Sequence, residues 1–187
     1  MCAKYLVVVL ALTSCGYSIR KSESSLFSEH GIKKIYIAPL GNSSYKPGAE
    51  TLVYNAVLKR MKANIKIEMV TSEAAADAVL VGELTNAQAS GGAEISSTQL
   101  KPSGFGNDLV YLNSEYNAGL SAKFTIKQGI KSLWSQDFGR SKVYLGHTGI
   151  NVRGTTTHLI NESEFDRTLV DLADQVSEDL TQALLQL

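Results

Sequence analysis

The segment from Glu115 to Lys127 constrains the fold most, because it follows a strict two-residue period. Small or polar residues separate its apolar members, which are Tyr116, Ala118, Leu120, Ala122, Phe124 and Ile126. Successive side chains of a strand point to opposite faces, so this pattern predicts a β-strand with one buried and one wet face. Gln128 and Gly129 then mark a turn, and Leu133–Phe138 begins an antiparallel partner strand. The sequence leaves open whether that strand continues to Leu145.

Shorter elements are predicted before this hairpin. The apolar residues Val53, Val57 and Met61 recur every four positions and indicate a helix over 49–62 that packs on a sheet. Alternating or continuously apolar runs predict strands, and a run of Ser, Glu and Ala predicts a short helical turn over 72–77. The predicted strands are 32–40, 65–69 and 78–84.

The chain closes with a long amphipathic helix. Asn161 is a suitable N-cap, and Glu164 three residues later completes a capping-box pattern. An apolar stripe then follows the helical period, comprising Phe165, Leu169, Leu172, Val176, Leu180 and Leu184. The polar residues beside the stripe are acidic and would be repelled by anionic lipid, which favours packing on the core over lying on a membrane.

Two connections, 86–107 and 146–160, are rich in Gly, Ser and Thr. We interpret the first as a hairpin tip with extended strand ends, because so long a loop is unusual inside a compact domain. The order of elements predicts an α+β fold. Its architecture would be a two-layer sandwich, with two helices packed on one face of a mostly antiparallel four- to five-stranded sheet.

The N-terminus has the pattern of a secretory signal. Lys4 precedes an apolar run, Tyr5–Leu12, that is too short to span a bilayer. The run ends in Leu12-Thr13-Ser14-Cys15, which resembles the bacterial lipobox. We therefore expect residues 1–14 to be cleaved and Cys15 to carry covalent lipid. Gly16 stands where an Asp would resemble an inner-membrane retention signal, so we expect an anchor on the periplasmic face of the outer membrane.

The rest of the chain is expected to form a tether over 15–30 and a single domain over 31–187. Cys15 would be the only cysteine of the mature protein, which leaves no disulfide. The formal net charge is +0, so nothing in the overall charge points to nucleic acid. The three His residues lack metal-ligand spacing, and no nucleophile motif or phosphate loop is present. We expect no enzyme, no metal, and no cofactor beyond the covalent lipid on Cys15.

Several motifs in this order resemble the LptE family of lipopolysaccharide-assembly lipoproteins. They are Cys15-Gly16-Tyr17, the strand exit Ile37–Ser43, the strand Ala76–Leu84, the strand Tyr116–Ile126 and the acidic start of the terminal helix. The resemblance implies an outer-membrane lipoprotein that sits inside the LptD β-barrel, assists assembly of that barrel and supports lipopolysaccharide transport to the outer leaflet.

Lipopolysaccharide carries phosphates, so direct contact would use basic side chains. The candidates lie near the two ends of the predicted hairpin and in the connection that follows it. They are Lys123, Lys127, Lys131, Arg140, Lys142 and Arg153. The alternative, which we favour, is that these are solvated strand-edge charges that discourage aggregation.

Two other classes of lipoprotein share a lipidated tether, a strand ending in an Asn-Ser turn and a following helix. They are the LpoB-like activators of peptidoglycan synthases and the CsgG-type secretion lipoproteins. A tether of about a dozen residues reaches less than ~45 Å, which is short for crossing the cell wall to an inner-membrane enzyme. A CsgG-type pore would need a long amphipathic membrane hairpin, for which only Glu115–Leu145 is a candidate.

Overall fold

The computed structural model describes residues 24–96, 111–146 and 156–187. Three helices are present in these ranges: α1 (Ser25–Glu29), α2 (Ala49–Asn64) and α3 (Thr156–Gln186), with a 3-10 turn at Glu73–Ala75. The strands are β1 (Lys34–Ile37), β2 (Gly41–Asn42), β3 (Glu68–Val70), β4 (Ala78–Gly91), β5 (Glu94–Ser96), β6 (Tyr111–Asn113), β7 (Glu115–Gln128) and β8 (Lys131–Leu145). The α+β class is therefore confirmed.

The main sheet is mixed: its three long strands are antiparallel, as predicted, and its short strands add parallel pairings. Its strand order is β3-β1-β4-β7-β8, and β2 also pairs with β4. β1 runs parallel to both β3 and β4, whereas β4, β7 and β8 are antiparallel. The parallel part arises because α2 carries the chain back between β1 and β3, and a helical crossover of this kind returns a strand in the same direction.

The central strands have the longer of the lengths that the sequence left open. β4 continues from the predicted end at Leu84 to Gly91, where it pairs with Tyr116. β8 runs the full length of β7, from Lys131 opposite Gln128 to Leu145 opposite Glu115. β5 and β6 form a second, two-stranded sheet beyond these ends. The interpretation of 86–107 as a hairpin with extended strand ends is thus confirmed at both strand ends, and residues 97–110 lie outside the described residues.

The core lies between α2 and α3 and one face of the main sheet. Val53, Val57 and Met61 of α2 are fully buried, as the predicted stripe requires. The inward positions of α3 and of the sheet are buried against them; these include Leu169, Leu172, Val176, Leu180 and Leu184 on α3, and Leu80, Leu84, Leu120, Phe124 and Ile126 on the sheet. The expected two-layer arrangement is therefore present. Within the described ranges, no helix is both long and apolar enough to cross a bilayer.

Two element boundaries differ from expectation. Residues 24–30 belong to the domain rather than to a tether, because α1 buries Leu26 and Phe27 against the core. α3 starts at Thr156, so Asn161 lies inside the helix and is not its N-cap. Asn161 alone did not locate the start of the helix, because the Thr residues shortly before it can also act as N-caps. The predicted signal peptide and Cys15 lie outside the described residues.

Candidate interaction surface

The outward face of the main sheet has no helix packed on it among the described residues, and we call it the open face. Its side chains alternate with the buried positions of β4, β7 and β8, and most are small or carry hydroxyl groups. They include Gln88, Ser90, Asn117, Gly119, Ser121, Lys123, Thr125, Ser135, Asp137, Gly139, Ser141 and Val143. The open face is thus a broad polar surface built from alternate residues of long strands.

Two glycines on the open face make room for side chains of the neighbouring strands. A Cβ at Gly139 would lie 2.9 Å from Oγ of Ser121, and a Cβ at Gly119 would lie 3.4 Å from Nδ2 of Asn86. The hydroxyls of Thr125 and Ser135 are 2.9 Å apart and hydrogen-bond across the strands. Small side chains of this kind allow another backbone or side chain to approach closely.

An aromatic groove opens on the side of the sheet that faces the helices, near the start of α3 and the ends of the long strands. Its cavity volume is about 590 Å³, within the usual range for ligand pockets. The rings of Tyr116 and Tyr144 stack with centroids 5.5 Å apart, and Tyr144 stacks on Phe165 at 6.3 Å. The groove also includes the 95% exposed Tyr45.

Lys46 closes one side of the aromatic groove. Its ammonium pairs with Glu162 and lies 2.6 Å from a carboxylate oxygen of Asp166, and it sits 5.2 Å from the ring centroid of Phe165. Burial lowers the pKa of Lys46, but the hydrogen bonds to Asp166 and Glu162 outweigh it and raise the pKa overall. Lys46 therefore stays charged and is engaged within the fold, so this side of the groove does not present a free cation to an anionic ligand.

Burial raises the pKa of Tyr144, and the nearby Tyr116 and Glu162 raise it further. Its hydroxyl is consequently neutral at physiological pH and can both donate and accept a hydrogen bond. Together the groove offers ring faces and uncharged polar groups. That chemistry suits neutral partners, such as sugar rings or peptide segments, better than phosphates.

The predicted basic residues do not converge on one site. Arg140 and Lys142 face the helices, where Arg140 forms a two-pronged bond to Asp179 at 2.6 and 2.7 Å. Lys142 lies 2.6 Å from a carboxylate oxygen of Asp171. These charges stabilise the packing of α3 on β8.

Three other candidates remain exposed. Lys123 and Lys127 lie on the open face, and Lys131 begins β8 at the turn. None of them makes an ion pair with another described residue. Arg153, like Cys15, lies outside the described residues, so its part in binding stays a prediction.

Sequence reasoning missed the aromatic groove. Tyr116 fitted the strand alternation, and that pattern alone does not distinguish a core residue from one lining a cleft at the strand end. Tyr144 faces Tyr116 only because the hairpin keeps its register over its full length. Within 24–96, 111–146 and 156–187, no cluster of His, Cys, Asp and Glu could hold a metal ion.

The model of the LptE lipopolysaccharide-assembly family matches residues 32–184. The chain belongs to the LptE family. The match covers most of the chain and includes the whole hairpin of β7 and β8, most of α3, and every residue of the groove. The family resemblance read from the sequence is thereby confirmed.

The chain is similar to several solved structures of bacterial lipoproteins at low identity. A putative lipoprotein from Caulobacter crescentus has 6% identity, covers 79% of this chain and 88% of its own, and gives a TM-score of 0.46. Rare lipoprotein B from Shewanella oneidensis has 18% identity, covers 79% and 93%, and also gives 0.46. A minor lipoprotein from Acinetobacter baumannii has 12% identity, covers 82% and 91%, and gives 0.41. No curated protein matches the chain.

Proposed function

We propose that this protein is an outer-membrane lipoprotein that binds inside an LptD-type β-barrel, assists assembly of that barrel and supports lipopolysaccharide transport to the outer leaflet. Membership of the lipopolysaccharide-assembly family carries the proposal. Lipid on Cys15 would hold the protein at the periplasmic face. It would act through stable binding, without catalysis.

The open face supports this role. The lumen of a transmembrane barrel is polar and wet, so a protein that fills it needs a polar surface that accepts hydrogen bonds and water. Hydroxyl and amide side chains on the open face provide such a surface, and their small size permits close approach. We propose that this face lies against the inner wall of the barrel.

The helical layer would keep the protein rigid inside the proposed barrel. Acidic residues of α3 pair with bases from three other parts of the fold: Lys46 before α2, Arg60 on α2, and Arg140 and Lys142 on β8. Because these charges satisfy one another, the two layers are held in one arrangement before a partner binds. A preorganised surface loses less conformational entropy on binding.

The proposal is tested by purifying the tagged full-length protein from detergent-solubilised envelopes and identifying what accompanies it in near-equal amount. A single large β-barrel of the LptD type supports the proposal. Recovery of a peptidoglycan synthase would favour the LpoB-like alternative, and a ring of the protein itself would favour the CsgG-type alternative. Either result would overturn it.

Ser141→Trp examines the open face directly. Ser141 is exposed opposite Gly119, so a Trp has room to stand on the sheet without entering the core. It would nevertheless block close approach of the barrel wall, and we expect at least a tenfold loss of co-purified barrel. Asn55→Trp, at an exposed position on α2, is the matched control and should leave recovery unchanged. Equal recovery of the barrel with both variants would show that the open face is not the interface.

A further inference from the structure

The turn between β7 and β8 carries an apolar residue that is held fully out of the core. Gly129 has a φ of +59°, a left-handed conformation that glycine adopts without strain, and it projects the next residue into solvent. That residue, Ile130, is completely exposed, with a relative accessibility of 107%. A single exposed apolar side chain is common on protein surfaces and by itself indicates nothing. The charged residues on either side of Ile130 are what suggest an interaction site.

Two exposed lysines flank Ile130. Lys127 is the last cation of β7, and Lys131 is the first residue of β8, opposite Gln128. Neither makes an ion pair with another described residue, whereas Arg60, Arg140 and Lys142 are each bound to carboxylates of α3. We call Lys127, Ile130 and Lys131 the basic tip. It combines one exposed apolar side chain with two positive charges that no described carboxylate pairs with.

Two carboxylates near this end of the sheet are engaged, whereas the exposed Glu29, next to His30, makes no ion pair with another described residue. Glu68 lies 3.8 Å from the ammonium of Lys34. Asp77 accepts hydrogen bonds from the backbone N–H groups of Lys33 and Lys34, at 2.9 and 2.8 Å. These acids therefore oppose the charge of the basic tip less than unpaired carboxylates would.

The basic tip lies next to α1, the first element of the described chain. The side-chain amide of Gln128 donates to the carbonyl oxygen of His30 at 3.5 Å, which ties the turn to the C-terminal end of α1. Ser24 precedes α1, and the chain between Cys15 and Ser24 can span at most about 30 Å. A lipid on Cys15 would therefore keep the basic tip close to the membrane surface.

We propose that the basic tip is a second membrane contact, in which Ile130 enters the headgroup region of an anionic phospholipid surface while Lys127 and Lys131 bind its phosphates. Membrane affinity of this kind grows with buried apolar area and with charge attraction to anionic lipid. One Ile and two Lys make a weak contact. A short tether nevertheless raises the effective concentration to about the millimolar range, where weak contacts form.

The contact would orient the free lipoprotein before it meets its partner. Tyr116 and Tyr144, in the aromatic groove, lie at the opposite end of the same hairpin, about 40 Å from the turn at ~3.4 Å per residue. With the basic tip on the lipid, the groove would face away from the membrane. The inference rests on lipidation of Cys15 and is independent of the β-barrel.

The test uses the full-length protein purified as the cell processes it and bound to vesicles. Ser132→Cys, beside the turn, receives an environment-sensitive fluorophore and leaves the basic tip intact, while Tyr45→Cys reports from the groove end. Acylated Cys15 would not react, and the protein without an added cysteine gives the background. Vesicles contain phosphatidylethanolamine with phosphatidylglycerol, phosphatidylethanolamine with phosphatidylcholine, or the latter mixture with added lipopolysaccharide.

We expect a blue shift of the fluorophore at residue 132 on phosphatidylglycerol vesicles, at least twofold smaller on the zwitterionic ones, and none at residue 45. Lys127→Gln combined with Lys131→Gln should abolish the difference between lipids, and Ile130→Ser should reduce the shift on every surface. Circular dichroism verifies that these variants, altered only at exposed positions, remain folded.

Several outcomes would overturn the inference: no shift at residue 132, an equal shift at residue 45, an equal shift on zwitterionic lipid, or a shift that requires lipopolysaccharide. Insensitivity to the Lys and Ile substitutions would overturn it as well, as would failure of the unlabelled protein to float with vesicles. Because the vesicles contain no barrel, this result and the co-purification result are independent of each other.

Discussion

Gly82 is a buried glycine with almost no space for a side chain. A Cβ there would lie 2.7 Å from Cγ of Leu40 and 2.9 Å from Cε1 of Phe124, and both of these side chains are buried. We expect Gly82→Ala to lower the free energy of unfolding by about 1–3 kcal/mol through overpacking. Gly41→Ala is the control, since its Cβ would find no atom closer than 3.8 Å. Urea denaturation of both variants measures the effect, and equal stabilities would contradict it.

Asp77 makes a second prediction at the scale of residues. Hydrogen bonds from the backbone N–H groups of Lys33 and Lys34 lower its pKa below the ordinary value of 3.8. A lowered folded-state pKa contributes stability that is complete above the unfolded value and is lost as the pH falls through the folded one. Asp77→Asn should therefore melt at a lower temperature than the original protein at pH 7. The difference should shrink below about pH 4. Melting curves from pH 7 to pH 2 would show a constant difference if the charge were irrelevant.

Among the secondary-structure elements, α3 shows what a sequence pattern can predict about a helix and what it cannot. Its apolar stripe was predicted and is buried. The pattern placed Asp171, Asp174, Glu178 and Asp179 on wetter faces, but it did not indicate that all four pair with bases from other elements. Periodicity identifies the buried side of a helix, and only tertiary packing identifies the partners of the other sides.

The pair formed by Arg60 and Asp174 tests how strongly these charges hold α2 to α3. The guanidinium and carboxylate are 2.5 Å apart, and hydrogen bonding to Arg60 lowers the pKa of Asp174. Both side chains remain substantially exposed, so solvent screening limits the coupling to about 0.5–1 kcal/mol. A double-mutant cycle with Arg60→Met and Asp174→Asn should give this value at low salt and a smaller one at 0.5 M NaCl. The Lys34 and Glu68 pair, 3.8 Å apart and more exposed, should couple less.

For the whole molecule, the central prediction is attachment through Cys15. Cys15→Ala should mislocalise the protein while leaving the fold intact, because residue 15 precedes the described domain, which starts at Ser24. Membrane fractionation with a folded-state probe such as protease resistance measures both effects. Normal outer-membrane fractionation of this variant would reject lipidation as the anchor.

The sequence by itself determined the α+β class, the α2 stripe, the strand β7 and the family, because each rests on local periodicity or on motifs in a fixed order. It left the full lengths of β4 and β8 open, because the ends of these strands are rich in Gly, Ser and charged residues. Such residues have weak strand preference, and here they are held in strands by pairing with β7.

Tertiary structure alone decided the parallel pairing of β1, the engagement of Arg140 and Lys142 by α3, and the meeting of Tyr116 with Tyr144. Each of these depends on contacts between residues far apart in the chain, or on a register maintained along a whole hairpin. A local pattern records which side of an element is buried. It does not record which other element covers that side, because this is set by the packing of all the layers together.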